Sequence, residues 1–506
     1  MKKRSFFTII SGISVAIGSL FLGSCQSGSS TSDAPEDPVL AEGKRLAQQY
    51  CSTCHLPVDP DALDKETWTR QVLPAMALRL GLEVWQGNHY YQPANAQISQ
   101  ADWIKLVNYY EKLAPEKPKT ARVPEPPVED WAIFTLKKPK TVSPETATTT
   151  LVAIDAANGS IYSGNSTDNG LYRWDKNLNA TLVSTLPSPA VHLNFAAPSQ
   201  AVVTCIGDMK AIDVPKGAVL TLSLDGQKPP EPLAANLVRP VQTTAGDFNH
   251  DGLTDWIVCG FGHLTGGLYL LKQGPDHQFE RISIRDVPGA TQALTGDFNH
   301  DGWLDAMVLF AHADEGIWLF LNDRKGGFTE KNLLRFPPVY GSTHFQLADF
   351  NRDGQLDILY TSGDNGDYSK ILKPFHGVYL FLNQGNFRYQ QAWFYPINGC
   401  TKAVAADFDG DGDLDLTTIA FFADLKNKPA ETFLYFEQDK PLHFRPHAVP
   451  VSAYGRWICL DVADCDRDGD PDVVLGNYSQ GFINQPDLKP AWNPHLPLIV
   501  LENKTR

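Results

Sequence analysis

Methionine is scarce in this chain of 506 residues, occurring only at positions 1, 76, 209 and 307. Basic charge is in deficit: 43 Lys and Arg face 58 Asp and Glu, a net charge of -15. Neutralising nucleic-acid phosphates requires a basic face, so nucleic acid is excluded as the main partner. The apolar stretch at residues 6–22 is short and rich in Gly and Ser, which argues against a permanent membrane span. No nucleophile–base pair or catalytic metal set stands at short spacing, so no reaction can be assigned. With 20% charged and 11% aromatic residues the chain is ordered and globular, and its length implies two or more domains.

Residues 1–24 read as an export signal, with Lys2, Lys3 and Arg4 ahead of the apolar stretch. Leu22-Gly23-Ser24-Cys25 resembles the bacterial lipobox. That resemblance implies cleavage before Cys25, a lipid on its sulfur, and a Ser-rich tether over residues 25–36. The expected location is the cell envelope, on the periplasmic or cell-surface side of a membrane, held by the anchor. An ordinary secreted protein is the alternative.

Residues 37–114 form the first domain. Asp37 is placed to cap a helix that Pro38 opens, with Leu40, Gly43, Ala47 and Tyr50 on one face. The helix runs into Cys51-Ser52-Thr53-Cys54-His55, the spacing of covalent haem c attachment. Two thiols three residues apart reach the two haem vinyl groups, and the adjacent imidazole turns onto the iron. A thioredoxin-like redox pair is the alternative for a bare CxxC, and His55 and the export signal favour haem. Met76, after Pro74, is the expected sixth ligand, with His89 second; His/Met ligation suits electron transfer. An amphipathic helix over residues 100–113 closes the domain. Helix, CxxCH, distal Met and final helix together resemble a small class I cytochrome c. The resemblance implies that Gly43 meets an aromatic of the last helix, Tyr109 or Tyr110. The interval from His55 to Met76 is shorter than that pattern.

Residues 115–130 are a linker stiffened by Pro115, Pro118, Pro124, Pro126 and Pro127, expected to act as a semi-rigid spacer. From residue 131 the chain is strand and turn, punctuated by one acidic loop in five copies. Asp407, Asp409, Asp411 and Asp415 stand at loop positions 1, 3, 5 and 9, with Gly412 at position 6. Asp247, Asn249, Asp251 and Asp255 repeat the spacing, as do Asp297, Asn299, Asp301 and Asp305. Asp349, Asn351, Asp353 and Asp357 follow, then Asp464, Asp466, Asp468 and Asp472. Hard oxygen donors at alternate positions around a Gly turn suit Ca²⁺, up to five ions in all. The flanking strands, and the lack of Glu at position 12, exclude an EF-hand.

The loops recur roughly 50 to 58 residues apart, the length of a four-stranded blade. Two earlier units, over residues 150–186 and 192–238, have the strands without the loop. The last unit is one strand short, and a lone strand near residues 132–136 is placed to complete it. The fold class is therefore multidomain: a small all-α cytochrome c domain, then an all-β seven-bladed propeller over residues 131–506 closed by its N-terminal strand. Repeat and loop spacing resemble the FG-GAP/VCBS propellers, the group that includes the integrin α-chain head. The resemblance implies that the acidic loops share one face. The opposite face then gathers Arg239, Gln292, His344, Gln346, Lys402 and Arg456 with His263, His312, Asp314, Asp364, Asp367, Lys373 and His376. That gathering reads either as a pocket or as a solvated rim. Gly363 to Gly377 is the longest of the loops there.

The leading functional expectation is a membrane-anchored c-type cytochrome relaying electrons through one covalent haem, its Ca²⁺-bound propeller docking a redox partner or ligand. One rival is a periplasmic dehydrogenase, an oxidoreductase whose active site lies on the propeller face opposite the Ca²⁺ loops. Another is an adhesion or interaction protein. Of the cysteines in the propeller, Cys465 replaces the Phe at loop position 2 and reads as core filler.

Overall fold

The computed structural model describes residues 37–86, 89–92, 95–312, 314–366, 369–481, 483, 485 and 487–505. The export signal, the tether and Cys25 lie outside the described residues, as do Asp367 and Tyr368. Among the described residues no helix is long and apolar enough to cross a membrane.

The N-terminal unit is helical. Helix α1, Pro38–Cys51, starts where the Asp37 carboxylate accepts from the Val39 N–H at 2.9 Å. A second helical stretch, α2, covers residues 65–79. It opens on Asp64, whose side chain accepts from the Thr67 N–H, and passes through a π turn at Trp68–Val72 into Leu73–Arg79. Pro74 lacks an N–H to continue the regular ladder, and the wider turn just before it accommodates that loss. Helix α3, Gln100–Leu113, is capped by Ser99. It packs on α1 at Gly43, where an added Cβ would lie 2.5 Å from the Tyr109 Cβ and 2.9 Å from the Lys105 carbonyl oxygen. Only glycine allows that approach, and the aromatic partner is Tyr109. Behind it, Trp68 and Tyr110 rings meet at 4.2 Å, and each donates to a loop carbonyl: Trp68 Nε1 to Pro60, Tyr110 Oη to Val58, both at 2.8 Å.

The rest is a seven-bladed propeller. Blades one to seven begin at Thr149, Ala190, Pro240, Ala290, Ser342, Cys400 and Trp457, and each is an antiparallel sheet in chain order. In the seventh blade the outermost place is taken by Phe134–Lys137, paired antiparallel with Leu498–Asn503, so strands from both ends of this region close the ring. The second strands of blades three to seven, such as Asp305–Phe310 and Asp357–Ser362, are buried at every residue. Sheets cover them on both sides, which is why their sequences are apolar runs rather than alternations.

Each innermost strand sends a side chain to the backbone of the next blade. Thr150 Oγ1 donates to the Ala190 carbonyl, Asn194 Nδ2 to Thr243 and Gln242 Nε2 to Ala293. Gln292 Oε1 accepts from the Phe345 N–H, and Gln346 Nε2 donates to Ala405. Lys402 Nζ donates to Leu460, and Asp461 Oδ2 accepts from Ile154, completing the circle. Buried backbone groups left over by one sheet are thus satisfied by its neighbour.

The linker is extended, as its prolines require, but it is laid against the propeller rather than bridging open solvent. Val128–Glu129 pairs in parallel with His447–Ala448 as a fifth strand of blade six, and Tyr395 Oη donates to the Glu125 carbonyl at 2.7 Å. The helical unit itself rests on the propeller. Val339, between blades four and five, and Ile371, in the long loop of blade five, pack against its core.

Candidate functional site

The thiol–imidazole motif lies at the C-terminal end of α1. Cys51 is partly buried and Cys54 exposed, and neither is in a disulfide. Burial raises the Cys51 thiol to about 11. The His55 Nδ1 sits 2.8 Å from the Leu56 carbonyl oxygen. That bond makes Nδ1 the N–H nitrogen and leaves the Nε2 lone pair for a metal, the orientation a ligating histidine needs. Burial also lowers the pKa of His55, which favours the neutral ring. Met76, on α2, is partly buried against the same core as Tyr50 and Cys51. His89 is exposed in a short hairpin of Val84–Gln86 and His89–Tyr91, its ring 4.6 Å from that of Tyr91. Two thiols and an imidazole with its outer nitrogen fixed, at the edge of a core that includes Met76, fit the donor set of a haem c.

The motif is turned toward the propeller. Charges of Arg335 and Asp314 from blade four act on the His55 ring. Asp314 is held between two arginines, 2.7 Å from Arg285 Nη2 and 2.8 Å from Arg335 Nη2. Arg285 in turn lies over the Trp318 ring at 3.8 Å. On the other side of the contact, the charge of Arg79 in α2 acts on His312. Burial lowers His312 to about 4, so its imidazole is neutral as well. The propeller surface involved is formed by connections between second and third strands and between blades, the end opposite the acidic loops.

Beside this contact lies a buried carboxyl, Glu315, fully enclosed. Its Oε1 accepts from Ser342 N–H and Oγ–H at 2.7 and 2.6 Å, and Oε2 is buried without a hydrogen bond. Burial raises this acid to about 8. Sequence reasoning missed it, because nothing in Asp-Glu-Gly marks a buried acid.

The five acidic loops are built alike. The carboxylate at position 1 accepts from the N–H of the Gly at position 6, for example Gly302 to Asp297 at 2.8 Å and Gly412 to Asp407 at 3.1 Å. Those glycines have φ between +81° and +101° with open space around four of the five Cα atoms, so backbone conformation rather than room demands Gly. Position 9 differs from the rest. Asp255, Asp305, Asp357, Asp415 and Asp472 are all fully buried. In each, one oxygen accepts from the N–H at loop position 2 and the other from an N–H at the end of the third strand; for Asp305 these are Phe298 at 3.1 Å and Asn322 at 2.9 Å. Burial raises Asp415 to about 7.

Carboxylate oxygens of Asp407, Asp409 and Asp411 lie within 4.8 Å of one another, and so do those of Asp464, Asp466 and Asp472. Clustered hard oxygens on a rigid turn fit Ca²⁺. In the three loops with Asn at position 3, the Asn carbonyl oxygen accepts from the N–H at position 5, at 2.9, 3.0 and 3.1 Å. Asp301 additionally pairs with Arg324 at 2.9 Å.

The polar residues expected on the opposite face separate into groups. Gln292, Gln346 and Lys402 serve the inter-blade circle, and His344 lies half-buried among them with its Nδ1 enclosed. Arg456 is buried, with Nη1 on the Gly481 carbonyl at 2.7 Å and its guanidinium 3.7 Å from the Phe421 ring. Lys373 and His376 are buried, so the long loop of blade five folds inward over much of its length. Arg239, His263 and His312 do come together around Phe261: Arg239 lies 5.2 Å and His312 4.8 Å from its ring, with His263 6.2 Å from His312. Cys465 packs at the edge of a core cluster between blades seven and one.

A family model described as the FG-GAP-like repeat matches residues 247–308, 297–360 and 369–418. The propeller carries FG-GAP-like repeats. The matches fall on blades three to six, which hold four of the five acidic loops. Comparison with curated proteins gives no match. Among solved structures, the N-terminal domain of Nup159 aligns with 76% of this chain and 100% of its own, at 10% identity and a TM-score of 0.43. A luciferin-regenerating enzyme covers 73% of this chain and 95% of its own, at 10% identity and TM-score 0.34. An ancestral GH74 enzyme covers 76% and 51%, at 11% identity and TM-score 0.44. At such scores these likenesses carry no argument about activity.

Proposed function

We propose that the chain is a c-type cytochrome anchored in the cell envelope through a lipid on Cys25. In this reading it relays electrons through one covalent haem, and its propeller, with Ca²⁺ in the acidic loops, is the module that binds a partner or ligand. The observation that carries the reading is the end of α1, where Cys51, Cys54 and a tautomerically fixed His55 stand beside a core that includes Met76. When bound, haem c supplies a one-electron couple, and His/Met ligation places it in the range used for electron transfer. Cys51 and Cys54 would hold the group as thioethers. The Leu56 carbonyl would keep the His55 Nε2 aimed at the iron. Val339 and Ile371 would exclude water from the side of the domain that meets the propeller. The test is spectroscopic: Met76→Ala removes the sixth-ligand absorbance band while His89→Ala leaves it. The reverse result moves the ligand to His89.

One observation favours the dehydrogenase as a second reading. The helical unit rests on the propeller end opposite the acidic loops, so a substrate oxidised there would lie next to the electron acceptor. Reduction of the haem by a small substrate in the purified chain supports this reading. Reduction by a partner protein alone supports the relay.

A further inference from the structure

The five acidic loops share a backbone but differ at loop position 4, which lies between the oxygen donors at positions 3 and 5. That residue is left-handed in every copy: φ is +59° at His250, +58° at His300, +60° at Arg352, +78° at Gly410 and +69° at Arg467. In two loops its side chain reaches the loop of the following blade. The exposed His250 of blade three stacks its ring on Trp303 of blade four, with centroids 4.0 Å apart and planes 12° from parallel. The exposed Arg352 of blade five donates from Nη2 to the Gly412 carbonyl of blade six at 2.7 Å.

Both bridges end on a residue tied to a carboxylate of the receiving loop. The Trp303 N–H donates to Asp301 Oδ1 at 2.9 Å, and the Gly412 N–H to Asp407 Oδ2 at 3.1 Å. Both also start between two donors of the sending loop, Asn249 and Asp251 for one, Asn351 and Asp353 for the other. The connection thus runs from one donor set to the next. Other neighbouring loops lack it. Among the described residues the His300 ring makes no hydrogen bond or ring contact, Gly410 has no side chain to send, and blade one, which follows Arg467, has no acidic loop.

The scaffold does not require these bridges. The same blade pairs are already tied by Gln242 to Ala293 and by Gln346 to Ala405, and a contact between exposed turns adds little stability. What the bridges can do is transmit order. Converging on a cation, positions 3 and 5 of one loop would fix the side chain between them. The neighbouring loop would then have less motion to lose on taking its own cation.

We propose that His250 and Arg352 are positioning residues that couple cation binding in neighbouring loops. The five loops then act as two cooperative pairs, in blades three and four and in blades five and six, with the loop of blade seven alone. The coupling is reciprocal, because each loop of a pair changes the other's affinity by the same factor. The inference rests on the reading that the loops hold Ca²⁺ and goes beyond it by assigning which of them bind together. It does not depend on the haem.

Trp303 supplies a site-specific probe, as the only tryptophan within the five loops. Tb³⁺ takes the same oxygen donors as Ca²⁺ and luminesces when a nearby indole is excited. The share of that luminescence lost in Trp303→Phe therefore reports occupancy of the blade-four loop in the intact chain. Asp251→Ala removes a donor from the loop of blade three, and should raise the Tb³⁺ concentration needed at blade four by about fivefold or more. His250→Gly gives blade three the residue that blade six carries at position 4. It should raise the midpoint to a similar extent, and the two substitutions together no further. His250→Asn tolerates the same backbone without the stack and should match His250→Gly, whereas His250→Tyr keeps a ring and should match the native chain. An unmoved midpoint in Asp251→Ala overturns the proposal, as do effects of Asp251→Ala and His250→Gly that multiply. Absence of the Trp303-sensitised signal from the native chain overturns the reading of the loops as cation sites together with the inference. A signal without coupling overturns the inference alone.

Discussion

In the propeller, polar side chains are largely consumed by the scaffold, whereas at the end of α1 they are left over. Asp255, Asp305, Asp357, Asp415 and Asp472 are buried with both carboxylate oxygens on backbone N–H groups. Gln242, Gln346 and Asp461 tie one blade to the next. Cys51, Cys54 and His55 have no comparable structural employment: neither thiol is in a disulfide, and the imidazole spends one nitrogen on its own neighbour's carbonyl. The contrast teaches that conspicuous acidic loops describe how this chain is assembled. The smaller motif, which stabilises little, is where chemistry is to be sought.

The comparison is broken most severely at position 9 of a loop. Asp305→Ala strands two buried N–H groups, so a loss of about 3 kcal/mol or more is expected. Asp301→Ala, at a partly buried position of the same loop, should cost far less in chelator-treated protein. Denaturant unfolding of both variants decides it, and equal losses would make position 9 an ordinary ligand position rather than an anchor.

Chelation sharpens the other half of the loop. If the loops hold Ca²⁺, its removal lowers stability by about 2.7 kcal/mol for each site previously held at a hundredfold excess over its dissociation constant. The melting transition of the propeller should fall on chelation and recover with added Ca²⁺. An unmoved transition would reduce the loops to turns.

The last effect, read as a slope against pH rather than as a single loss, concerns Glu315. Its acid is raised from 4.5 to about 8 by burial, so the folded chain keeps a proton that the unfolded chain releases. The sign follows: the stabilisation is full below pH 4.5 and is lost as pH rises toward 8, by at most about 1.4 kcal/mol per pH unit. Glu315→Gln should flatten stability against pH over that window. An unchanged slope would show that Glu315 is ionised in the folded state.

Much of the propeller was legible in the sequence because its signals are local. An acidic turn fixes a hairpin, a buried second strand is an apolar run, and their recurrence counts blades. The close approach at Gly43 was legible only through the resemblance to a class I cytochrome c, which left the aromatic partner open between Tyr109 and Tyr110; the partner is Tyr109. What sequence could not show depends on which way side chains point after tertiary packing. Gln292, Gln346 and Lys402 read as surface groups of a possible pocket, yet the bulge before Gln292 and Lys402 turns such positions inward. Position 9 read as one ligand among four, because a buried acceptor and a metal ligand demand the same residue. The seat of the helical unit on Val339 and Ile371 was invisible, since two apolar residues in loops carry no periodic signal.

The central claim is tested most directly by measuring covalent haem in the intact exported chain after denaturing electrophoresis. The account predicts one haem per chain that survives denaturation and is lost when Cys51→Ala and Cys54→Ala are combined, with the propeller's melting transition unchanged. Absence of covalent haem from the native chain, or its persistence in the double variant, would contradict it.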